Sequence, residues 1–128
     1  MNQLSPWIAI VDDDKLICRA LLRLLRSVDV SGRSFSSISA FFEFSNANPP
    51  CGVILDLHMP DVSGFELQSW LAEHSPEIQV IVMTGHDSPE TERRVLSYKP
   101  LAYLLKPVSD QLLINAVQAA LQKSDDRK

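Results

Sequence analysis

Short apolar runs rich in β-branched residues alternate five times with longer stretches of helical spacing along this chain. "WIAIV" (Trp7 to Val11), Val53 to Leu55, "QVIVM" (Gln79 to Met83) and "AYLL" (Ala102 to Leu105) read as strands, with a weaker one around Val30 to Phe35. The strong runs are apolar throughout rather than at alternate positions, which is the pattern of strands covered on both faces. Strand then helix, five times over, predicts a doubly wound α/β fold: five parallel strands in one sheet, with five helices packed on its two sides.

The intervening stretches carry the helical period. From Lys15 to Arg26 apolar residues fall at Leu16, Ile17, Ala20, Leu21, Leu24 and Leu25, with Arg19, Arg23 and Arg26 off that face. A short helix is expected from Ser37 to Phe44, closed by "NANPP", whose prolines forbid continuation. The third helix starts from Ser63, where Ser63-x-x-Glu66 has the spacing of a capping box. Ser88 and Pro89 read as N-cap and first position of the fourth. Ser109 caps the fifth, whose apolar positions are Leu112, Leu113, Ala116, Val117, Ala120 and Leu121, and the final "KSDDRK" reads as a polar, frayed tail.

At 128 residues the chain is expected to be one domain that buries its core without disulfide or metal staples. No apolar run approaches the ~18 residues of a membrane span, and "MNQLSPW" lacks the basic flank and apolar core of a signal peptide. A cytoplasmic location and no membrane partner are therefore expected. Net charge is −4, from 12 basic and 16 acidic residues, which argues against a nucleic-acid surface on this segment. Cys18 and Cys51 have no CxxC or Cys/His spacing around them and read as small hydrophobes. Trp7, Trp70, Phe41, Phe42 and Phe44 are expected in the core. His58, His74 and His86 include no i, i+4 pair and read as solvated or core residues rather than a metal set.

In open α/β sheets, ligands bind beyond the carboxyl ends of the strands. Asp12 and Asp13 follow the first strand, Asp56 closes the third, Thr84 follows the fourth and Lys106 the fifth. Any one of them is a routine turn or cap residue; together they bring three acids, a hydroxyl and one cation to a single rim. Carboxylates ~5 Å apart repel by about 3 kcal/mol per pair at an effective dielectric of ~20, more than one lysine offsets. A doubly charged cation held by oxygens meets that need, which favours Mg²⁺ over zinc. Asp56 can then act as nucleophile towards a phosphoryl group, with Lys106 and the Thr84 hydroxyl on its other oxygens, forming an acyl phosphate.

The sequence resembles the receiver domain of two-component response regulators. The resemblance is carried by "VDDD" (Val11 to Asp14), "LDLHMPDVSG" (Leu55 to Gly64), "MTGH" (Met83 to His86) and "YLLKP" (Tyr103 to Pro107), in order and at family-like spacings. It implies a flavodoxin-like (βα)5 receiver over residues 6–123, with 124–128 a polar tail or the start of a linker. By that similarity Asp56 is the phosphoacceptor and Asp13 a direct ligand of Mg²⁺ (or Mn²⁺). Asp12 is a water-mediated ligand, and the backbone carbonyl of His58 supplies the remaining protein ligand. Thr84 and Tyr103 become the switch pair: the hydroxyl moves towards the phosphoryl group and the aromatic ring turns inward behind it. The partners implied are a sensor histidine kinase or a histidine phosphotransfer protein, and a second receiver on the face of the fourth helix, fifth strand and fifth helix. Lys106-Pro107 falls where the family usually has a cis bond. His58 and His86 fall where the family tunes phosphoryl lifetime. Lys99-Pro100 replaces the family's usual Gly-Ala pair, so the fourth helix is expected to end early.

Other phosphate chemistries fail on particular residues. A haloacid-dehalogenase-like phosphatase needs a second Asp where His58 stands, and "DDDK" is no P-loop and repels phosphate or flavin unless a metal intervenes. The expected role is thus a signalling phosphoacceptor that assists only its own phosphotransfer and dephosphorylation, not an enzyme turning over a free substrate. The alternative is a receiver-like binding module that is never phosphorylated.

Overall fold

The computed structural model describes residues 6–59 and 64–126. In chain order the elements are β1 (Trp7–Val11), α1 (Lys15–Ser27), β2 (Ser31–Phe35), α2 (Ile38–Ser45), β3 (Gly52–Asp56), α3 (Gly64–His74), β4 (Gln79–Thr84), α4 (Pro89–Leu96), β5 (Ala102–Leu105) and α5 (Asp110–Asp126). All neighbouring strands are parallel, in the order β2-β1-β3-β4-β5. This is the doubly wound, flavodoxin-like arrangement expected, with its topological switch between β1 and β3.

Continuously apolar strands serve two cores at once, because successive side chains point to opposite faces. Ile8, Ile10, Ile54, Ile81 and Met83 face α1 and α5, where Cys18, Leu21, Leu25, Leu113, Val117 and Ala120 meet them. Ala9, Val11, Val53, Leu55, Val80 and Val82 face the other way, onto Phe41 of α2, Leu67 and Leu71 of α3 and Val95 of α4. Burying one such side chain contributes roughly 1.5–3 kcal/mol, so the three central strands are the stable part of the molecule. The edges are thinner: Ser31, Gly32 and Arg33 of β2 are exposed. A Cβ on Gly32 would come within 2.6 Å of Leu25 Cδ1, so the Leu25 side chain of α1 occupies the space a side chain there would take.

Side-chain caps fix the helix starts. Asp14, Ser37 and Ser88 accept backbone N–H bonds at the starts of α1, α2 and α4, with Pro89 in the first turn of α4. The Ser109 hydroxyl accepts from Leu112 N at 3.1 Å. Each such cap stabilises its helix by about 1 kcal/mol. The capping box expected at Ser63 lies outside the described residues. As expected, α4 ends early, at Leu96; Lys99 sits just beyond in the left-handed region (φ 54°), its N–H donating to Leu96 O, and Pro100 prevents any return to helix.

Four expectations need correction. Leu16 and Leu112 do not belong to the buried faces of α1 and α5: they are 74% and 55% exposed. At 100° per residue Leu16 lies on the side of α1 opposite Cys18, Leu21 and Leu25, and Leu112 flanks the arc of α5 that Leu113, Val117 and Ala120 bury. Ala20 is exposed too, and Cys18 takes its place in the core. Trp70 is not in the core but 40% exposed, its indole stacked on His74 at 4.6 Å and edge-on to Phe42 at 4.8 Å. Lastly, residues 123–126 of the "frayed" tail continue α5. Phe41 is fully buried, and Trp7, Phe42 and Phe44 pack partly buried against the same core. Cys18 and Cys51 are free and buried.

Candidate functional site

The three consecutive acids after β1 separate into three environments. Asp12 is buried, its N–H bonded to Phe35 O and its Oδ1 accepting from Asp14 N at 2.9 Å. Asp13 is exposed on the rim. Asp14 turns away as the N-cap of α1, accepting from Leu16 N and Ile17 N. Sequence reading grouped the first two correctly but gave Asp14 no role; an Asp directly before a helical run is the signal that identifies a cap.

Asp56 closes β3 and is buried. Its Oδ1 accepts from His58 N at 3.3 Å and lies 3.3 Å from Lys106 Nζ. Lys106, just past β5, is held by its own N–H on Thr84 O and precedes the cis bond to Pro107. Its Nζ also lies 3.6 Å from Asp12 Oδ2, beyond hydrogen-bond range. That oxygen is buried and accepts no hydrogen bond among the described residues. Asp12, Asp13 and Asp56 each offer a carboxylate oxygen within 4.8 Å of the others, close to the ~5 Å used for the repulsion estimate above. Burial, the largest influence, pushes the Asp12 carboxyl above its ordinary range, with the Asp56 charge adding to it and the Asp14 N–H and Lys106 opposing.

Thr84 closes β4, fully buried. Its hydroxyl is occupied within its own loop, accepting from His86 N at 3.0 Å and donating to His86 O at 3.4 Å. Tyr103 is partly buried on β5, and its hydroxyl donates to Asp87 Oδ1 at 2.6 Å. Burial first, then that bond and the Asp87 charge, push its phenol up to about 12. Thr84 and Tyr103 therefore lie on adjacent strands, with Val82 paired to Tyr103 and Thr84 to Leu105. His58 is exposed beside Asp56, and its ring meets that of His86 at 5.1 Å.

Three contributors were not legible in the sequence. Gly64 starts α3 against the end of β3: its N–H donates to Leu57 O, and a Cβ there would fall 2.7 Å from Leu57 Cα. Gln68 is buried and donates from Nε2 to Val95 O at 2.9 Å, joining α3 to α4, while its Oε1 has no partner among the described residues. Asp87 holds the Tyr103 hydroxyl from a loop position that has no motif of its own. A glycine after a serine in "VSG" is a weak hint for Gly64; nothing marks the other two.

Comparison with known proteins gives the site its family. The chain is 33% identical to the response regulator protein TmoT of Ectopseudomonas mendocina over 100% of its own length and 58% of that protein. It is 32% identical to TodT of Pseudomonas putida, covering 56% of it, so the chain spans somewhat over half the length of these relatives. Among solved structures, a response regulator receiver protein from Burkholderia phymatum superposes with a TM-score of 0.80 at 37% identity, over 92% of this chain and 96% of that one. The family model described as the response regulator receiver domain matches residues 8–118. That match takes in all five strands and most of the five helices, and the chain accordingly belongs to the receiver domains of two-component response regulators.

Proposed function

We propose that Asp56 is the phosphoacceptor of this receiver and that Lys106, Thr84 and the acidic cluster serve its phosphorylation. The observation that carries the reading is the placement of Asp56 Oδ1, 3.3 Å from Lys106 Nζ inside a cluster of three carboxylates at the carboxyl ends of the strands. A pocket with an orphaned buried Asp12 Oδ2 and one lysine against three acids fits a hard divalent cation. Asp13 and Asp56 would hold Mg²⁺ (or Mn²⁺) directly with the His58 carbonyl, and Asp12 through water. Bound there, the ion supplies positive charge for the phosphoryl oxygens.

Receiver domains take phosphoryl groups from histidine kinases, and the donor proposed here is such a kinase or a histidine phosphotransfer protein. A carboxylate oxygen of Asp56 bonds to phosphorus as the P–N bond of the phosphohistidine breaks, its electron pair staying on the imidazole nitrogen. Lys106 is already oriented towards Asp56 and neutralises charge on the incoming group. Thr84 Oγ1 leaves its bonds to the His86 backbone and donates to a phosphoryl oxygen. Tyr103 gives up Asp87 and turns into the space released. The face so altered is α4, β5 and α5, where Leu96 and Leu105 are exposed, and we assign a homodimeric or heterologous partner to it. The domain turns over no free substrate; it assists only its own phosphotransfer and dephosphorylation. A cytoplasmic location goes with a kinase donor, and no helix among the described residues is long and apolar enough to cross a membrane.

Treatment with acetyl phosphate and Mg²⁺, then borohydride, converts an aspartyl phosphate to homoserine. Peptide sequencing is expected to find homoserine at position 56. Homoserine at Asp12 or Asp13 instead, or none at all, would overturn the assignment.

A further inference from the structure

His58 and His86 lie in different loops and share no sequence spacing that pairs them, yet the sheet brings them together. β3 and β4 are parallel neighbours with Asp56 opposite Met83, and Leu57 N–H donates to Met83 O. The residues next in line after these two strands therefore meet across the rim. Both histidines are exposed, their ring centroids are 5.1 Å apart at 90°, and no other described side chain hydrogen-bonds either ring.

A tetrahedral ion ~2 Å from one nitrogen of each of two imidazoles sets the ring centres about 5 Å apart. The observed separation matches that value. We propose that His58 and His86 form a two-imidazole site for a borderline-soft divalent ion of the Zn²⁺ class, distinct from the carboxylate pocket beside it. Imidazole nitrogen suits Zn²⁺, Cu²⁺ or Ni²⁺ and not Mg²⁺, whereas the carboxylates below favour the hard ion, so the two sites differ in metal preference. Water completes the coordination.

An ion held by both rings ties the loop after β3 to the loop after β4. His86 is the residue whose backbone engages the Thr84 hydroxyl on both sides. The ion therefore fixes Thr84 where it now stands. If Thr84 moves on phosphorylation, as proposed above, zinc binding and phosphorylation oppose each other by the same factor in each direction. That consequence rests on the proposed function; the site does not.

The test is made on the unphosphorylated chain with no phosphodonor present, so it succeeds or fails independently of Asp56 chemistry. Zinc chloride is titrated calorimetrically in excess Mg²⁺ into the chain and into His58→Ala, His86→Ala and Asp13→Asn. His58 serves the Mg²⁺ pocket only through its carbonyl, which the alanine keeps. One Zn²⁺ per chain is expected, with affinity lower by about tenfold or more in each histidine variant and unchanged in Asp13→Asn. Ring ¹⁵N resonances of both histidines shift on zinc addition to the unsubstituted chain, a readout that needs no variant. Affinity unaltered by either histidine substitution, loss confined to Asp13→Asn, or one Zn²⁺ shared by two chains would overturn the proposal.

Discussion

A single buried oxygen illustrates what individual residues contribute. Asp12 ionises at 3.8 in an unfolded chain and higher in the folded one, chiefly because it is buried. Across that interval the native state holds more protons than the unfolded state, so this group's contribution to stability falls as pH rises from 3.8 through the raised value. Asp12→Asn keeps an acceptor for Asp14 N–H and removes the buried charge. Without metal it is expected to raise the urea midpoint at neutral pH and to leave it nearly unchanged at about pH 4; equal shifts at both would contradict the account. Tyr103 titrates in the opposite range. Its phenol is raised from 10.0 to about 12, so its contribution to stability is intact below 10.0 and is lost as pH rises through about 12. Ultraviolet titration should show that ionisation moving down in Asp87→Ala, which removes both the bond and the charge. The acids, threonine and lysine were legible because strand ends mark them in sequence. Asp87 was not, because its role depends on where Tyr103 points, which no local pattern records.

At the level of elements, the fold was readable wherever a residue's environment follows from its own strand or helix. Four strands and the early end of α4 came from apolar runs and from Lys99-Pro100, while β2, "SGRSF", gave only a weak signal. The reading failed where burial depends on what another element covers. The i, i+3, i+4 count put Leu16 and Leu112 inside, although neither lies on the arc its helix buries, and it gave no sign that α2 and α3 leave Trp70 at the surface. The same limit hid the contacts of α3. Gly64→Ala forces a methyl into the Leu57 backbone, and overpacking of this kind costs about 1–3 kcal/mol. Chemical denaturation should show that loss together with slower phosphorylation, since the displaced segment begins at Asp56. Gln68→Met at the α3–α4 contact removes a buried unpartnered oxygen, and Val95 O still accepts from Tyr98 N. It is expected to change stability by less than about 1 kcal/mol, or to increase it; a loss of several would mean that the amide bond holds α4 in place.

For the whole molecule, the arrangement is a rigid apolar sheet with its charged chemistry confined to one rim. β2 and β5 are the outer strands, and β5 carries Tyr103 two residues before the exposed Leu105 at the carboxyl end. A bound divalent ion should stabilise the whole domain by about 2.7 kcal/mol at a hundredfold excess over its dissociation constant. Thermal melts are expected to show this for Mg²⁺ in the unsubstituted chain and not in Asp13→Asn. The central claim is phosphorylation of Asp56, and the most direct measurement is the intact mass after incubation with acetyl phosphate. The account predicts a gain of one phosphoryl group with Mg²⁺, none with excess chelator and none in Asp56→Asn; a gain that survives Asp56→Asn, or none in the unsubstituted chain, would contradict it.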